Sequence, residues 1–296
     1  MAPPRVRIVL PAFDESRTLA RSIERLLDFC QRRLMGYRWR VLIAENGSRD
    51  GTARLADGLA AADPHIDVLH RTVAGRGGAL RAAAALDGAD YVLYADVDLS
   101  AELEAIPQLL AALDGGADLA VGSRLHPRAR VRRRVWREVL SRGYNLLLRA
   151  ALGVGFRDAQ CGLKAWRRVR LQPLIDRVRD DNWFFDTELL VLAEYAGHPI
   201  VEVPVDWVED TDSRVRIPST VTEKLRGVIR LRRSARHTAA AVKRDRDRPA
   251  APTVAQRPPP AFTDSDAPVT GGAEVSTPDV RPAPLSSQAL RQPPAG

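Results

Sequence analysis

The apolar run Tyr91-Val92-Leu93-Tyr94 is followed by Ala95-Asp96-Val97-Asp98, which sets two carboxylates one residue apart. On an extended chain residues i and i+2 share a face, so Asp96 and Asp98 would repel unless a cation sits near them. A hard divalent ion suits such a pair: Mg²⁺ or Mn²⁺ takes oxygens at about 2.1 Å and leaves positions open for phosphate oxygens. The pair alone is common, and its place directly behind a buried strand gives it weight. Three further polar clusters follow apolar runs: Asp14-Glu15, Glu45-Asn46-Gly47-Ser48 and Gly75-Arg76-Gly77-Gly78. The last reads either as a plain helix-start turn or as an anion nest with an arginine in it. Other site classes are absent. No G-x-x-x-x-G-K-[ST] loop occurs, Gly75–Gly78 lacks the dinucleotide spacing, and His65, His70, His126, His198 and His237 form no Ser/His/Asp set.

These clusters need elements that bring them together. Val6–Leu10 reads as a strand, and Leu19, Ile23, Leu26 and Leu27 recur at helical spacing behind Asp14-Glu15-Ser16, residues suited to cap a helix start. Val41–Ile43 is a second strand, and Asp50-Gly51-Thr52 opens a helix through Leu59. Ile66–Leu69 is a third strand, Gly75–Gly78 leads into an Ala-rich helix, and Tyr91–Tyr94 is a fourth strand. A further helix and Leu119–Val121 follow. Short apolar strands alternating with amphipathic helices predict an α/β fold with a mostly parallel sheet covered on both faces. In such sheets ligands sit beyond the carboxyl ends of the strands, where all four clusters lie. No internal repeat is present.

Of 296 residues, 45% are hydrophobic and 28% charged, ordinary for a globular chain, and aromatics reach only 5%. Two cysteines, Cys30 and Cys161, exclude a disulfide framework and suit a reducing compartment. No stretch matches the roughly 18 to 20 apolar residues of a membrane span, and no signal pattern opens the chain. The expected location is cytoplasmic, peripheral at the membrane face. Net charge is +8; from Asp245 onward five Arg and six Asp/Glu leave the tail at about −1 and the body at about +9. The body therefore wants anions, although an Arg-rich composition without functional content is the plainer account. No aromatic stacking clusters accompany the charge, so nucleic acid is not an expected partner. Eleven of 21 prolines lie in that tail, and residues 245–296 read as disordered. Residues 219–244 read as a basic helix, and 1–218 as the folded domain, with halves at about 1–124 and 125–218.

Taken in order, Val9-Leu10-Pro11-Ala12-Phe13-Asp14-Glu15, Glu45 to Thr52, Gly75-Arg76-Gly77 and Asp96-Val97-Asp98 resemble the donor-binding half of the GT-A family 2 glycosyltransferases. The resemblance continues through Gly122-Ser123-Arg124, Arg137 to Asn145, Asp158 to Lys164, Trp183 to Leu190 and Ser213 to Arg216. Those segments look like the polyprenyl-phosphate hexosyltransferases, most similar to the dolichyl-phosphate glucose synthases, with the mannose synthases next. The match spans roughly residues 5 to 217. Three departures stand out: Asp14 replaces the usual Asn, Glu45-Asn46 the usual Asp-Asp, and Arg76 the usual Lys. They leave the reaction type standing and bear on the nucleotide base; Arg76 keeps the charge with a different donor geometry.

The resemblance implies a metal-dependent, inverting transfer of a hexose from UDP-glucose or GDP-mannose to a polyprenyl or dolichyl phosphate. Pro11, Ala12, Asp14, Glu15 and Glu45 would line the nucleoside pocket. Asp96 and Asp98 would hold Mg²⁺ or Mn²⁺ against the diphosphate, with Asp98 counted catalytic and Arg76 adding positive charge. Asp158 and Gln160 would lie near the reaction centre, Asp158 as a positioning group or a base, and Asp186 and Glu188 would touch the sugar or support the residues that do. Arg124, Arg137, Ser141 and Arg216 would receive the acceptor phosphate. Plainer roles compete: a turn carboxylate pairing an arginine for Asp158, helix-start capping for Asp186 and Glu188. Trp136, Leu140, Leu146, Leu147 and Leu148 share a basic helix, which reads equally as a membrane-surface helix or a core helix with a solvated face. An anionic membrane surface or a membrane-protein partner is expected on that reading. Transfer to a soluble acceptor, and a non-catalytic basic binding protein, are the alternatives.

Overall fold

The computed structural model describes residues 2–208 and 217–246; of 217–223 and 245–246 the backbone alone is described. Arg216 and the Pro-rich tail from 247 lie outside the described residues.

Strand β1 (Arg5–Ala12) starts the central sheet, pairing in parallel with β2 (Arg38–Asn46) and β4 (Tyr91–Ala95). Strand β3 (Ile66–Arg71) pairs in parallel outside β2. Beyond β4 comes β7 (Leu163–Arg167), antiparallel to it and to β5 (Leu119–Ser123), and β8 (Ile200–Pro204) closes the far edge in parallel with β5. The order is β3-β2-β1-β4-β7-β5-β8. The expected mostly parallel sheet is therefore present, with one reversed strand in its middle. A two-stranded parallel sheet, β6 (Val131–Arg132) with β9 (Trp207–Val208), stands apart.

Both faces are covered, which explains the near-continuous apolar strands. In β1 and β4, Val6, Ile8, Leu10, Tyr91, Leu93 and Ala95 enter one core, with α1 (Leu19–Arg33) and α4 (Ala105–Asp114) against it. Val9, Val92 and Tyr94 enter the other. That second core takes in α3 (Arg76–Ala85), α5 (Val135–Leu152), α6 (Arg168–Ile175), α7 (Phe185–Tyr195) and α8 (Ile217–Arg246). Helix α2 (Thr52–Ala62) packs beside β3. The basic helix expected from 219 to 244 is α8, slightly longer at both ends.

Register then decides what meets at the strands' carboxyl edge. Ala12 pairs with Glu45 and Val9 with Tyr94, so the loops after β1, β2 and β4 emerge side by side. Because β7 runs backwards, its start lies at this same edge: Leu163 pairs with Ala95, and Lys164 with Val121. The segment 158–162 is thereby set against Asp96 and Ser123.

Candidate active site

The first two loops are laced together. Asp14 adopts φ +54°, in the left-handed region few non-glycine residues visit. Its amide donates to Ser48 Oγ at 3.0 Å, and its carboxylate accepts the Arg49 amide at 2.7 Å. Glu15 donates its amide to Thr52 Oγ1 at 2.8 Å. The expected cap by Asp14–Ser16 does not occur: helix α1 starts after Thr18, with the Glu15 carbonyl accepting the Thr18 and Leu19 amides. The reason is competition, since these side chains and amides are engaged across the cleft with the β2 loop.

Glu45 is buried, and its carboxylate turns onto its own loop. One oxygen accepts the Ser48 amide at 2.6 Å and the other faces His70 Nδ1 at 3.3 Å. Burial pushes this carboxyl up, but the Ser48 bonds and His70 outweigh it and hold it below its ordinary range. Glu45 thus shapes the pocket wall and does not present an open carboxylate to it. Pro11 and Ala12 are the last residues of β1, directly beside Ala44 and Glu45.

Asp96-Val97-Asp98 is not extended. The Leu99 amide bonds the Asp96 carbonyl at 3.0 Å, closing a turn, and Leu99 sits at φ +48°. The shared-face argument, which needs extended backbone, is corrected accordingly: a turn, not a strand, carries the two carboxylates. Asp98 is exposed, with one oxygen accepting the Ser100 amide at 3.0 Å. Asp96 is packed hard against Gly162, where a Cβ would lie 1.7 Å from Asp96 Oδ2. Only glycine fits there.

Beneath Asp96 lies a charge cluster. Arg76 bonds Asp96 Oδ1 through Nε (3.1 Å) and Nη2 (2.6 Å), and reaches Asp186 Oδ2 through Nη1 at 2.6 Å. Asp186 Oδ1 meets Lys164 Nζ at 3.0 Å and accepts a bond from the Tyr94 hydroxyl. Lys164, wholly buried, also donates to Tyr94 Oη at 3.0 Å and to the Cys161 carbonyl at 2.5 Å. Two acids and two bases balance in a dry space. The Arg76 guanidinium is sandwiched by Tyr94 (5.0 Å) and the half-exposed Trp183 (5.3 Å). The Asp186 oxygens are taken up by Arg76, Lys164 and Tyr94, so it stands behind Arg76 as a support, one of its expected roles, and does not cap the helix. Glu188 accepts the Asp180 amide at 3.1 Å and Arg230 Nη2 at 2.5 Å, and so ties α7 to α8.

On the other side of β7, Asp158 is completely buried. Its Oδ2 accepts the Arg124 amide (3.0 Å) and Nε (2.8 Å), and its Oδ1 accepts Arg124 Nη2 (2.9 Å) and the Gln160 amide (3.0 Å). Burial alone would raise the Asp158 pKa; Arg124 and the amides outweigh it and bring it to about 2. A carboxylate so occupied cannot take up a proton near neutral pH, so the base reading of Asp158 is set aside and the arginine-pairing reading holds. Gln160 is half-buried at the turn that Asp158 closes. Arg124 stacks on Trp207 at 4.9 Å. Helix α5 is bound to this loop by Asn145, which accepts the Ala159 amide at 2.9 Å and donates to the Ser141 carbonyl at 2.9 Å. That leaves Ser141 Oγ and Ser123 Oγ buried without a hydrogen-bond partner, as donors awaiting an acceptor would be. Arg137 lies over Trp136 at 5.2 Å. Arg133 is buried against Glu138, and burial together with the nearby positive charge of Arg124 lowers its pKa.

Sequence reasoning missed Lys164, Tyr94, Trp183, Arg133 and Asn145 as parts of the site. Lys164 carried a signal, a lysine in an otherwise apolar strand; nothing in sequence distinguishes Arg133 from its neighbours.

Asp96 and Asp98 offer oxygen donors only, and among the described residues no three His, Cys, Asp or Glu side chains gather as a metal cage. A hard divalent ion held by one or two carboxylates and completed by phosphate oxygens needs no cage. The donor set fits Mg²⁺ or Mn²⁺ arriving with a diphosphate.

A mostly parallel α/β sheet with acidic and arginine-lined loops gathered at its carboxyl edge sets these residues where ligands of such sheets bind. The chain belongs to glycosyl transferase family 2, whose pattern matches residues 7–173. Glycosyltransferase AglD of Haloferax volcanii is 39% identical over 71% of this chain, which spans only 34% of that protein's length. Polyprenol monophosphomannose synthase of Mycolicibacterium smegmatis is 36% identical, covering 69% of this chain and 78% of its own. Dolichyl-phosphate beta-glucosyltransferase ALG5C of Trichomonas vaginalis is 28% identical over 72% of this chain and 66% of its own. The fold is shared with glucosyl-3-phosphoglycerate synthase of Mycobacterium tuberculosis in complex with Mn²⁺, UDP and glucosyl-3-phosphoglycerate. That structure is 21% identical, with a TM-score of 0.52 over 76% of this chain and 77% of that one.

Proposed function

We propose that this protein transfers a hexose from a nucleotide sugar, UDP-glucose or GDP-mannose, to a polyprenyl phosphate with inversion at the anomeric carbon. The observation that carries the reading is the pairing, across β7, of an acidic turn fit for a metal diphosphate with an arginine-rich pocket holding two unpartnered serine hydroxyls. The names of the polyprenol monophosphomannose synthase and the dolichyl-phosphate beta-glucosyltransferase support the acceptor class, and UDP and Mn²⁺ in the fold neighbour support the donor class.

Asp98, with Asp96 beside it, would hold Mg²⁺ or Mn²⁺, which when bound supplies Lewis-acid stabilisation of the departing diphosphate. Asp14, Glu15 and the Glu45 loop wall the nucleoside side. Arg76 lies under Asp96, where it adds positive charge to the diphosphate region. A lipid monophosphate has a second pKa near 6 and is already largely dianionic at neutral pH. Its oxygen forms the bond to the anomeric carbon as the bond from that carbon to the diphosphate breaks, with no proton to remove. A locked, ionised Asp158 is consistent with that, because its task is to aim Arg124. Arg124, Arg137 and Ser141 position the phosphate; Arg216 belongs to the same proposal but lies outside the described residues.

The test uses purified protein, polyprenyl phosphate in detergent, Mg²⁺ or Mn²⁺, and radiolabelled UDP-glucose or GDP-mannose in separate tubes. Metal-dependent label in the organic phase from one donor, lost in Asp98→Ala, is the expected result. Donor hydrolysis without lipid label would turn the assignment toward a soluble acceptor. No binding of either donor would overturn the reading.

A further inference from the structure

Glu45 stands on the wall of the pocket proposed for the nucleoside, and its cross-strand partner in the sheet is His70 on the edge strand β3. The Glu45 side chain is 4% exposed, His70 46%, and Asp57 on α2 60%. One imidazole thus joins a buried carboxylate at the site to an exposed one at the surface. Its Nδ1 lies 3.3 Å from Glu45 Oε2, and its Nε2 lies 2.8 Å from Asp57 Oδ1. A neutral imidazole carries one N–H, and only the imidazolium donates from both nitrogens. An acid on each nitrogen is therefore the geometry of the charged ring. Two titratable groups face it, Glu45 from β2 and Asp57 from α2. Arg71, next along β3, serves the other face, donating to Asn46 Oδ1 at 3.3 Å and to the Gly75 carbonyl at 3.2 Å. Beyond Glu45 the chain of bonds runs on. The other Glu45 oxygen holds the Ser48 amide, Ser48 Oγ accepts the Asp14 amide, and the Asp14 carboxylate accepts the Arg49 amide. Gly47, at φ +75°, lets this loop rest on the Thr72 carbonyl just past β3, where a Cβ would lie 3.1 Å from the oxygen. His70 lies behind the lacing of the first two loops.

We propose that His70 is a positioning residue for the nucleotide-sugar donor. Its imidazolium, held from outside by Asp57, fixes the Glu45 carboxylate and through it the loop 45–49, so donor affinity falls when the ring loses its proton. Asp57 makes the shorter bond, so the proton that remains stays on Nε2. The Nδ1 lone pair then faces Glu45 Oε2, acceptor against acceptor. The sign follows from the partners. The bond to Asp57 raises the His70 pKa most, burial opposes it, and Glu45 adds to it. The bridge is complete below the ordinary value of about 6.5 and is lost as pH rises through the higher folded value. Glu45, held below its ordinary range, stays ionised throughout. The inference rests on the nucleotide-sugar reading of the site.

The test measures the dissociation constants of UDP-glucose and GDP-mannose with Mg²⁺ by calorimetry, on the full chain, from about pH 6 to about pH 8.5. Each phosphate of a nucleotide sugar carries a single ionised oxygen over that range, so the ligand's own charge is constant. For the donor that binds, the dissociation constant should rise about threefold through an inflection above about pH 6.5. His70→Gln should bind at every pH about as weakly as wild type does at the alkaline end. Asp57→Asn should keep the inflection and move it to lower pH, because the acid that holds the ring charged is gone. Both positions are solvent-exposed, and melting within about 2 °C of wild type verifies the fold of each variant. Wild-type affinity that is flat across the range would overturn the proposal. So would an inflection that His70→Gln retains, or one that Asp57→Asn leaves where it was. If neither donor binds wild type at any pH, the function reading fails and takes this inference with it. A donor bound with a flat profile sinks the inference alone.

Discussion

On the donor side of β7, Asp96 and Asp186 are matched by Arg76 and Lys164 inside one buried cluster. On the proposed acceptor side, Arg124 pairs with Asp158 and Arg133 with Glu138, and Arg137 lies on the same helix as Glu138. The two halves differ because their proposed ligands differ. A nucleoside diphosphate comes with a cation, and this internally balanced cluster lies beneath the acidic turn proposed to hold it, with its residues fixed in advance by one another. A phosphate dianion arrives without a cation, so arginines must supply the charge; Arg133, whose pKa is lowered by burial first and then by Arg124, is one of them. Arg124 is itself pinned to a fully buried carboxylate.

The sharpest way to break this contrast is to remove that pin's partner. Arg124→Met leaves Asp158 buried and unpaired, and urea denaturation should show a loss of about 3–5 kcal/mol. Adding Asp158→Asn should restore part of it. On the balanced side, Gly162→Ala drives a methyl into Asp96, displacing a site group at a folding cost of about 1–3 kcal/mol. Transfer, measured with saturating acceptor, should fall about 10²- to 10³-fold. A smaller effect is expected from Arg133→Gln. Losing one charged donor should raise the KM for the acceptor about tenfold and leave the donor KM unchanged; equal changes in both would erase the distinction between the halves. The smallest effect belongs to the pocket wall. His70 has a raised pKa, chiefly through its bond to Asp57 and then through Glu45. Its stabilisation is full below the unfolded value of about 6.5 and fades as pH rises through the higher folded value. Glu45, held below its ordinary range, acts in the opposite sense, losing its contribution as pH falls through the folded value. Melting of His70→Gln and wild type should therefore differ by about 2 °C or less at mildly acidic pH, and the gap should close toward alkaline pH.

Much of this was legible in the chain. The strands of the first half are uninterrupted apolar runs, and each polar loop follows one of them, so period and position alone predicted the sheet and the edge where the site lies. Asp96, Arg76 and Arg124 stand out in sequence because each follows an apolar strand closely, in a loop or at the start of the next helix. Readings stayed open where a side chain had a choice of partner. Asp158, Asp186 and Glu188 look alike in sequence as acids among polar residues, yet each is consumed by a base distant in the chain: Arg124, Lys164 with Arg76, and Arg230. Local spacing holds no record of such pairs. The turn at Asp96–Leu99 was hidden for a related reason, since Leu99 takes a backbone conformation that its residue type disfavours.

The reversed strand β7 also has a consequence for how the molecule comes to exist. β4 and β5 never touch in the sheet; each has β7 between it and the other. During synthesis the chain can therefore assemble β1 to β4 as soon as residue 95 has emerged, while β5 waits without a neighbour until Leu163–Arg167 has been made. At about 5–20 residues per second that interval lasts on the order of seconds. Throughout it β4 presents a bare, apolar edge, the kind of surface on which strands of other chains can add. A family of enzymes built on this order depends on the swift arrival of one short strand, and the same late strand brings both halves of the site into register.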